Sequence, residues 1–358
     1  MKELNAKKVM IVYGTRPELI KLVSTIKGLE KSKHKVILVD SGQHSDLLKP
    51  IKKLFSIEEC YTLKGLKKKR SLSDMVGHMV PKLSHLMEVE CPNLVLGIGD
   101  TTTVMCTALS AFYTKTKFMH LESGIHNHDK FDPYPEEGNR RVISQLADYH
   151  LCQSEQHLKT VRERGSDGVI VGNPGLDAVK MIAKKYKKKK QVLITMHRRE
   201  NWGKPIQTIC GAIHVLARAF PDYTFIIACH PNPIVKDVID EMLGNVKNVI
   251  ISKAIDFHVF IKVMGESVML ITDSGGAPQE APFVKTPVLI TRDAYESYSV
   301  IENNQAKLVG TNPIKICKEF SRLMSDKKYY NAMLKKPAPY GNGTSYKLII
   351  KQINKVIE

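Results

Sequence analysis

Leu270-Ile271-Thr272-Asp273-Ser274-Gly275-Gly276-Ala277-Pro278-Gln279-Glu280-Ala281-Pro282 is the stretch from which the fold is read. Its apolar residues and Thr272 make a short buried strand, Asp273 to Gly276 turn the chain, and Pro278 to Ala281 can start a helix. Ser274 is a natural helix cap, and the two glycines let backbone come close to a ligand. A helix beginning there aims unpaired N–H groups and a positive dipole end outward, which suits a phosphate. Glu280, about one turn in, is placed to accept from the hydroxyls of a ribose.

The same strand–turn–helix unit recurs along the chain. Lys8–Tyr13 predicts a strand, followed by Gly14-Thr15-Arg16-Pro17-Glu18, and Leu19, Ile20, Leu22, Val23, Ile26 and Leu29 repeat at helical spacing over 17–31. Further strands are expected over 34–40, up to Asp100, up to Glu122, and over 149–153 and 168–171. Helices are expected over 102–113 and after Pro135, the latter with Val142, Ile143, Leu146 and Ala147 on its apolar face. A lysine-rich helix from Leu176 to about Lys188 bridges into a second half. There the rhythm restarts with strands over 191–196, 224–229, 246–252, 268–272 and 287–291 and helices over 206–220 and 257–264. A last helix over 345–358 is apolar at Leu348, Ile349, Ile353 and Val356. Such alternation makes parallel sheets with helices on both faces. The expected fold is therefore α/β, with two Rossmann-like doubly wound domains, 1–175 and 176–344, and the last helix docking back on the first. Ligands of such sheets bind beyond the carboxyl ends of the strands. Arg16, Gln43, Asp100 and Glu122 all fall there, and two such halves imply a cleft.

Composition sets the outer bounds. The 358 residues are 43% hydrophobic and 25% charged, which describes a globular chain with room for two domains. No run of 18 apolar residues occurs and the N-terminus leads straight into a strand, so neither a membrane span nor a signal peptide is expected. Seven cysteines, none in a CxxC pair, fit reduced thiols in the cytoplasm. The 54 Lys and Arg against 36 Asp and Glu leave a formal charge of +18, which attracts polyanions. The basic residues are dispersed, however, with runs only at 67–70 and 184–190, and neither run is interleaved with aromatics. A solvated lysine-rich surface is expected rather than a nucleic-acid interface. His120, Glu122, His126 and His128 are close enough in sequence to suggest zinc, but they lack an i,i+4 helix pair and a second cluster, so no metal is expected. No GxGxxG follows a strand, so no nicotinamide cofactor is expected either.

The chemistry is carried by Asp100, Glu122, Glu136 and Glu137 with His197, all at strand ends or helix starts. Carboxylates and a histidine beside a phosphate-binding helix end make an acid/base site next to an anionic leaving group. The motifs are GTRPELIKL (14–22), SGQH (41–44), GDTTT (99–103), HLESG (120–124), PEEGNRR (135–141), HRREN (197–201), HPNP (230–233) and TDSGG…EAP (272–282). Their order resembles that of the non-hydrolysing UDP-N-acetylglucosamine 2-epimerases over nearly the whole chain.

That resemblance implies a GT-B-like pair of Rossmann domains facing across a cleft, with no metal or nicotinamide cofactor. It implies a homodimer that interconverts UDP-GlcNAc and UDP-ManNAc, eliminating UDP to a 2-acetamidoglucal and adding it back. Asp100, Glu122, Glu136 and His197 match the family's catalytic set. Arg16 matches its UDP-site arginine, Ser274, Gly275 and Gly276 its diphosphate loop, and Glu280 its ribose acceptor. Lys21, Gln43, Arg140, Arg198 and His230 are further UDP-sugar contacts on the same reading. The chain departs from the family pattern in three places. Ile125-His126-Asn127-His128-Asp129 stands for LRTGD, Arg292 to Ser299 (RDAYESYS) stands for RDTTERPE, and Asp46 stands where members with an allosteric site often have Gln.

Overall fold

Val9 to Tyr13 have no exposed surface, so both sides of this strand are covered, as happens where helices pack on the two faces of a parallel sheet. The computed structural model describes residues 6–66, 71–229, 232–253, 255–295 and 299–357. Within the first half, strands β1 (Lys8–Tyr13), β2 (Lys35–Asp40), β3 (Tyr61–Thr62), β4 (Leu94–Ile98), β5 (Phe118–Ser123), β6 (Tyr149–Cys152) and β7 (Gly168–Ile170) form a parallel sheet. Its order is β3-β2-β1-β4-β5-β6-β7. In the second half, β8 (Lys189–Thr195), β9 (Thr224–Ala228), β10 (Val249–Ser252), β11 (Ser267–Thr272), β12 (Val288–Ile290) and β13 (Ala306–Leu308) form another, ordered β10-β9-β8-β11-β12-β13 and again parallel. Both sheets reverse direction of growth beside their first strand, between β1 and β4 and between β8 and β11. Those two switch points are where a doubly wound sheet leaves a crevice for ligand.

The chain divides into two units, Met1–Ala178 with Gly343–Glu358, and Val179–Asn342. In the first, Met10, Val12, Ile37 and Val95 of the sheet pack with Met75, Met79, Leu83 and Met87 of helix Leu72–Glu90. Those four helix residues recur every four positions, so one stripe meets the sheet. In the second, Val192, Ile194, Ile213, Phe225 and Phe320 lie in one core.

Several elements differ from expectation. The helix foreseen over 176–188 is Pro174–Ile182 and stops before the lysine run. Lys188 is instead drawn inward, where its Nζ donates to Ser267 O (2.8 Å) and Thr286 Oγ1 (2.7 Å), and burial lowers its pKa to about 8. Val142 is 42% exposed, so the expected apolar face of helix Glu136–Leu146 is narrower by that residue, while Ile143 is buried and Leu146 and Ala147 pack against the same core. Helices Ser45–Phe55, Leu72–Glu90 and Pro313–Ser325 and strands β3 and β13 lie in segments for which no element was foreseen.

The last helix, Ser345–Ile357, buries Ile349, Ile353 and Ile357, one per turn, and leaves Leu348 46% exposed. Its first turn is held by Asp177, whose carboxylate accepts from the backbone N–H of Ser345 (3.0 Å) and Tyr346 (2.7 Å). Asp177 thereby satisfies amides that a helix N-terminus leaves orphaned. Asp177→Ala should cost about 1–2 kcal/mol in urea unfolding. Leu348→Ser, on the exposed side of the same helix, should change stability by less than about 0.5 kcal/mol.

Candidate functional site

In the first unit, Thr15 opens helix Arg16–Leu29, and Glu18 folds back on the turn that precedes it. Its Oε2 accepts from the N–H of Gly14 and of Thr15, both at 2.7 Å, and Thr101 Oγ1 donates to its Oε1. Glu18 therefore ties the turn after β1 to the turn after β4, across the switch point. Burial pushes its pKa up, against these hydrogen bonds. The carboxylate thereby occupies the amides of Gly14 and Thr15, just before the helix, which are spent within the protein. Beside it, Gly14 packs so tightly that a Cβ would lie 2.2 Å from Ser41 Oγ and 2.4 Å from Thr103 Oγ1. Thr103 in turn donates to Gln43 Oε1 (2.7 Å), which places Gln43 at the same edge. Arg16, the first residue of the helix, is half-buried there.

Three of the expected site carboxylates are in this unit, and their surroundings differ. Glu122, the last residue but one of β5, has φ at 64°, a conformation that costs a non-glycine residue energy, and the ladder register with β6 shifts there. Lys21 Nζ donates to both of its oxygens (2.7 and 2.6 Å), and Gln153 Nε2 donates to Oε1 (2.5 Å). Asp100 accepts at Oδ2 from Arg140 Nε (2.8 Å) and its NH2 group (2.6 Å), while its backbone carbonyl accepts from Asn139 Nδ2 (2.8 Å). Glu136, Asn139 and Arg140 share one helix face at i, i+3 and i+4, so the bonds of Asn139 and Arg140 turn Glu136 toward the β4 end. The Glu136 carboxylate has no hydrogen-bond or ion-pair partner among the described residues, and neither has Asp100 Oδ1.

Glu137, the neighbour of Glu136, is fully buried and serves the fold. It accepts from the N–H of Asn127 (3.0 Å) and from Arg141 Nε (2.9 Å), with His126 Nδ1 at 3.2 Å. Burial opposes its ionisation, but Arg141, Asn127 and His126 together hold its carboxyl below the usual range. The segment 125–128, which departs from the family pattern, is thus fastened by His126 and by the carbonyls of Asn127 and His128, which accept from Arg141.

In the second unit, Asp273 is fully buried at the end of β11. Its carboxylate accepts from the N–H of His197 and Arg198 (3.0 Å each) and from Asn201 Nδ2 (3.1 Å). Asn201 also donates to Thr291 O (3.1 Å), so the turns after β8, β11 and β12 are one network. The His197 side chain is 38% exposed, with Nε2 3.9 Å from Asp273 Oδ1. The expected phosphate-binding helix is only one turn, Ala277–Glu280, followed by a 3₁₀ turn, Ala281–Val284. Pro282 cannot donate to the α-ladder and so curtails it. Gly276, not Ser274, is its cap residue, and Ser274 Oγ accepts only a long bond from the N–H of Ala277 (3.4 Å). So short a helix sums little dipole. What remains for an anion is the pair of N–H groups on Gly275 and Gly276, which bond to nothing among the described residues. Gly276 has φ −89°, and a Cβ there would touch nothing within 4 Å, so the fold itself does not demand a glycine. Glu280 is half-buried one turn on. His230 lies outside the described residues.

Glu18, Asn139, Gln153, Asp273 and Asn201 were assigned no role from sequence. Glu18 had a legible signal, since Thr15-x-x-Glu18 is a capping box. Among the described residues no three His, Cys, Asp or Glu side chains are grouped so as to hold a metal ion. No helix among them is long and apolar enough to cross a membrane.

The family described as UDP-N-acetylglucosamine 2-epimerase matches residues 27–354. The UDP-N-acetylglucosamine 2-epimerase of Neisseria meningitidis is 34% identical over 371 residues, covering 97% of this chain and 99% of the relative. A crystal structure of UDP-GlcNAc 2-epimerase from Neisseria meningitidis bound to UDP-GlcNAc superposes with a TM-score of 0.89 at 32% identity. It covers 97% of this chain and 100% of that one. The S. aureus MnaA–UDP co-structure gives a TM-score of 0.89 at 32% identity, covering 98% and 96%.

Beneath the first unit's site lies a buried set of histidines. His120 Nε2 is 2.7 Å from Gly99 O and its Nδ1 is 2.7 Å from Ser123 Oγ, which is also 3.2 Å from His150 Nδ1. Burial lowers the pKa of His120 to about 4 and depresses those of His126, His150 and His157. A depressed histidine pKa leaves stability intact above 6.5 and removes it as pH falls toward the folded value, because only the unfolded chain takes up the proton. Each such proton is worth about 1.4 kcal/mol per pH unit. Melting of this chain should therefore fall steeply from pH 6.5 to 5, and His120→Asn should flatten that slope.

Proposed function

The chain belongs to the UDP-N-acetylglucosamine 2-epimerase family, and on that premise we propose that it interconverts UDP-GlcNAc and UDP-ManNAc. The observation that carries the reading is the contrast among three carboxylates: Glu122 engaged at both oxygens, Asp100 at one, and Glu136 at neither. Inversion at C2 requires a proton to leave one face of the sugar and another to arrive on the opposite face. Two carboxyl groups with an unengaged oxygen, Glu136 and Asp100, suit that pair of transfers. Glu122, locked by Lys21 and Gln153, suits a fixed charge that orients the sugar.

In the elimination, a carboxylate takes the C2 proton, the C1–O bond to UDP breaks, and the C1–C2 bond becomes double in a 2-acetamidoglucal. Re-addition returns UDP to C1 and a proton to the other face of C2. The departing diphosphate gains charge, which the N–H groups of Gly275 and Gly276, His197, Arg198 and Arg16 are suited to stabilise. Glu280 suits the ribose. Lys21, Gln43, Arg140 and His230 complete the UDP-sugar contacts on this reading, which includes no metal or nicotinamide. The same reading makes the working unit a homodimer and its product a supply for cell-surface polysaccharide synthesis.

Incubation of UDP-GlcNAc in heavy water, with no acceptor, should place deuterium at C2 and yield UDP-ManNAc. Glu136→Gln and Asp100→Asn should each slow both by at least ~100-fold. Tight UDP binding without C2 exchange in any of several UDP-hexoses would instead indicate glycosyl transfer to an acceptor.

A further inference from the structure

Resting on the reading that Gly275 and Gly276 hold the diphosphate, we infer that Tyr295 is a positioning residue that sets the direction of the Gly276 amide. Tyr295 stands where the family pattern has threonine, in the turn after β12. It is almost wholly buried, and its phenol O–H donates to Gly275 O at 2.8 Å. A trans peptide is planar, with its carbonyl and its N–H pointing in opposite directions. Holding Gly275 O therefore aims the N–H of Gly276 to the other side, away from the phenol.

The loop needs such a restraint. Ser274 is tied by its N–H to Thr272 Oγ1 (2.9 Å), and Gln279 and Glu280 donate to Gly276 O (2.9 and 3.3 Å). Between these anchors the Gly275–Gly276 peptide is flanked by two residues that tolerate either sign of φ, so it can flip at little steric cost. The Tyr295 hydroxyl is the group that selects one orientation. The ring itself is steadied by Arg292, whose guanidinium lies 5.8 Å from its centroid and whose Nε donates to Glu200 Oε1 (2.5 Å). Glu200 belongs to the turn after β8, so the peptide plane is braced from the turns on both sides of β11.

Tyr295→Phe keeps the ring and removes only the hydroxyl. Calorimetry should then show UDP binding weakened about fivefold, the effect of one neutral hydrogen bond. Uridine, which carries no phosphate, should bind the variant as it binds the parent, measured by competition. Equal UDP affinities in parent and variant would overturn the inference and leave the nucleotide reading standing. A parent that does not bind UDP would remove the nucleotide reading itself. Equal weakening of UDP and uridine would mark a general collapse of the loop and overturn the positioning role. If the variant fails to fold, hydrogen exchange on the parent decides. Protection of the Gly276 amide by UDP supports the inference, and an amide exchanging equally fast with and without UDP overturns it.

Discussion

A buried carboxylate that must find hydrogen-bond donors organises each half of this protein. Glu18 and Asp273 are both almost completely shielded from water, where an unpaired charge is prohibitively costly. Each finds its donors in backbone N–H groups of a turn at a strand end, and each does so beside the switch point of its sheet. Glu18 takes Gly14, Thr15 and the hydroxyl of Thr101. Asp273 takes His197, Arg198 and the amide of Asn201. These bonds stitch together turns that the sheet alone leaves independent, and the candidate side chains ride on them.

The two solutions have opposite consequences for an anion. In the first unit Glu18 fills the turn before the helix with a carboxyl group of the protein's own, and the unit's site carboxylates have graded engagement. On the proposed reading these carboxylates move the C2 proton. In the second unit the buried carboxylate binds the turn after β8, and the amides of Gly275 and Gly276 bond to nothing among the described residues. On the proposed reading these amides hold the diphosphate, although a helix of one turn contributes little dipole. The division follows from where each carboxylate lies relative to its turn.

The departures from the family pattern take on physical meaning in this frame. His126, at the place of an arginine, still reaches Glu137, while Arg141 secures the same carboxylate and the carbonyls of 127 and 128. The loop is therefore held although one permanent cation is gone. Tyr295, at the place of a threonine, reaches a neighbouring turn that a short side chain cannot.

Sequence alone determined the alternation of strands and helices, the parallel α/β class, and which residues stand at strand ends. Hydrophobic runs and helical spacing are local, so Lys8–Tyr13 and Thr102–Tyr113 were legible to the residue. So was the family, through ordered motifs. Tertiary structure decided what local pattern cannot carry. Helix Pro174–Ile182 ends before Lys188, whose acceptors lie 79 and 98 residues away in the chain. The last helix turns Ile357 rather than Leu348 inward because its neighbours, not its own composition, choose the buried stripe. Which of Asp100, Glu122 and Glu136 keeps an unengaged oxygen depends on Lys21, Arg140 and Gln153. Such engagement is set by distances across turns and strands, and chain spacing alone does not encode it.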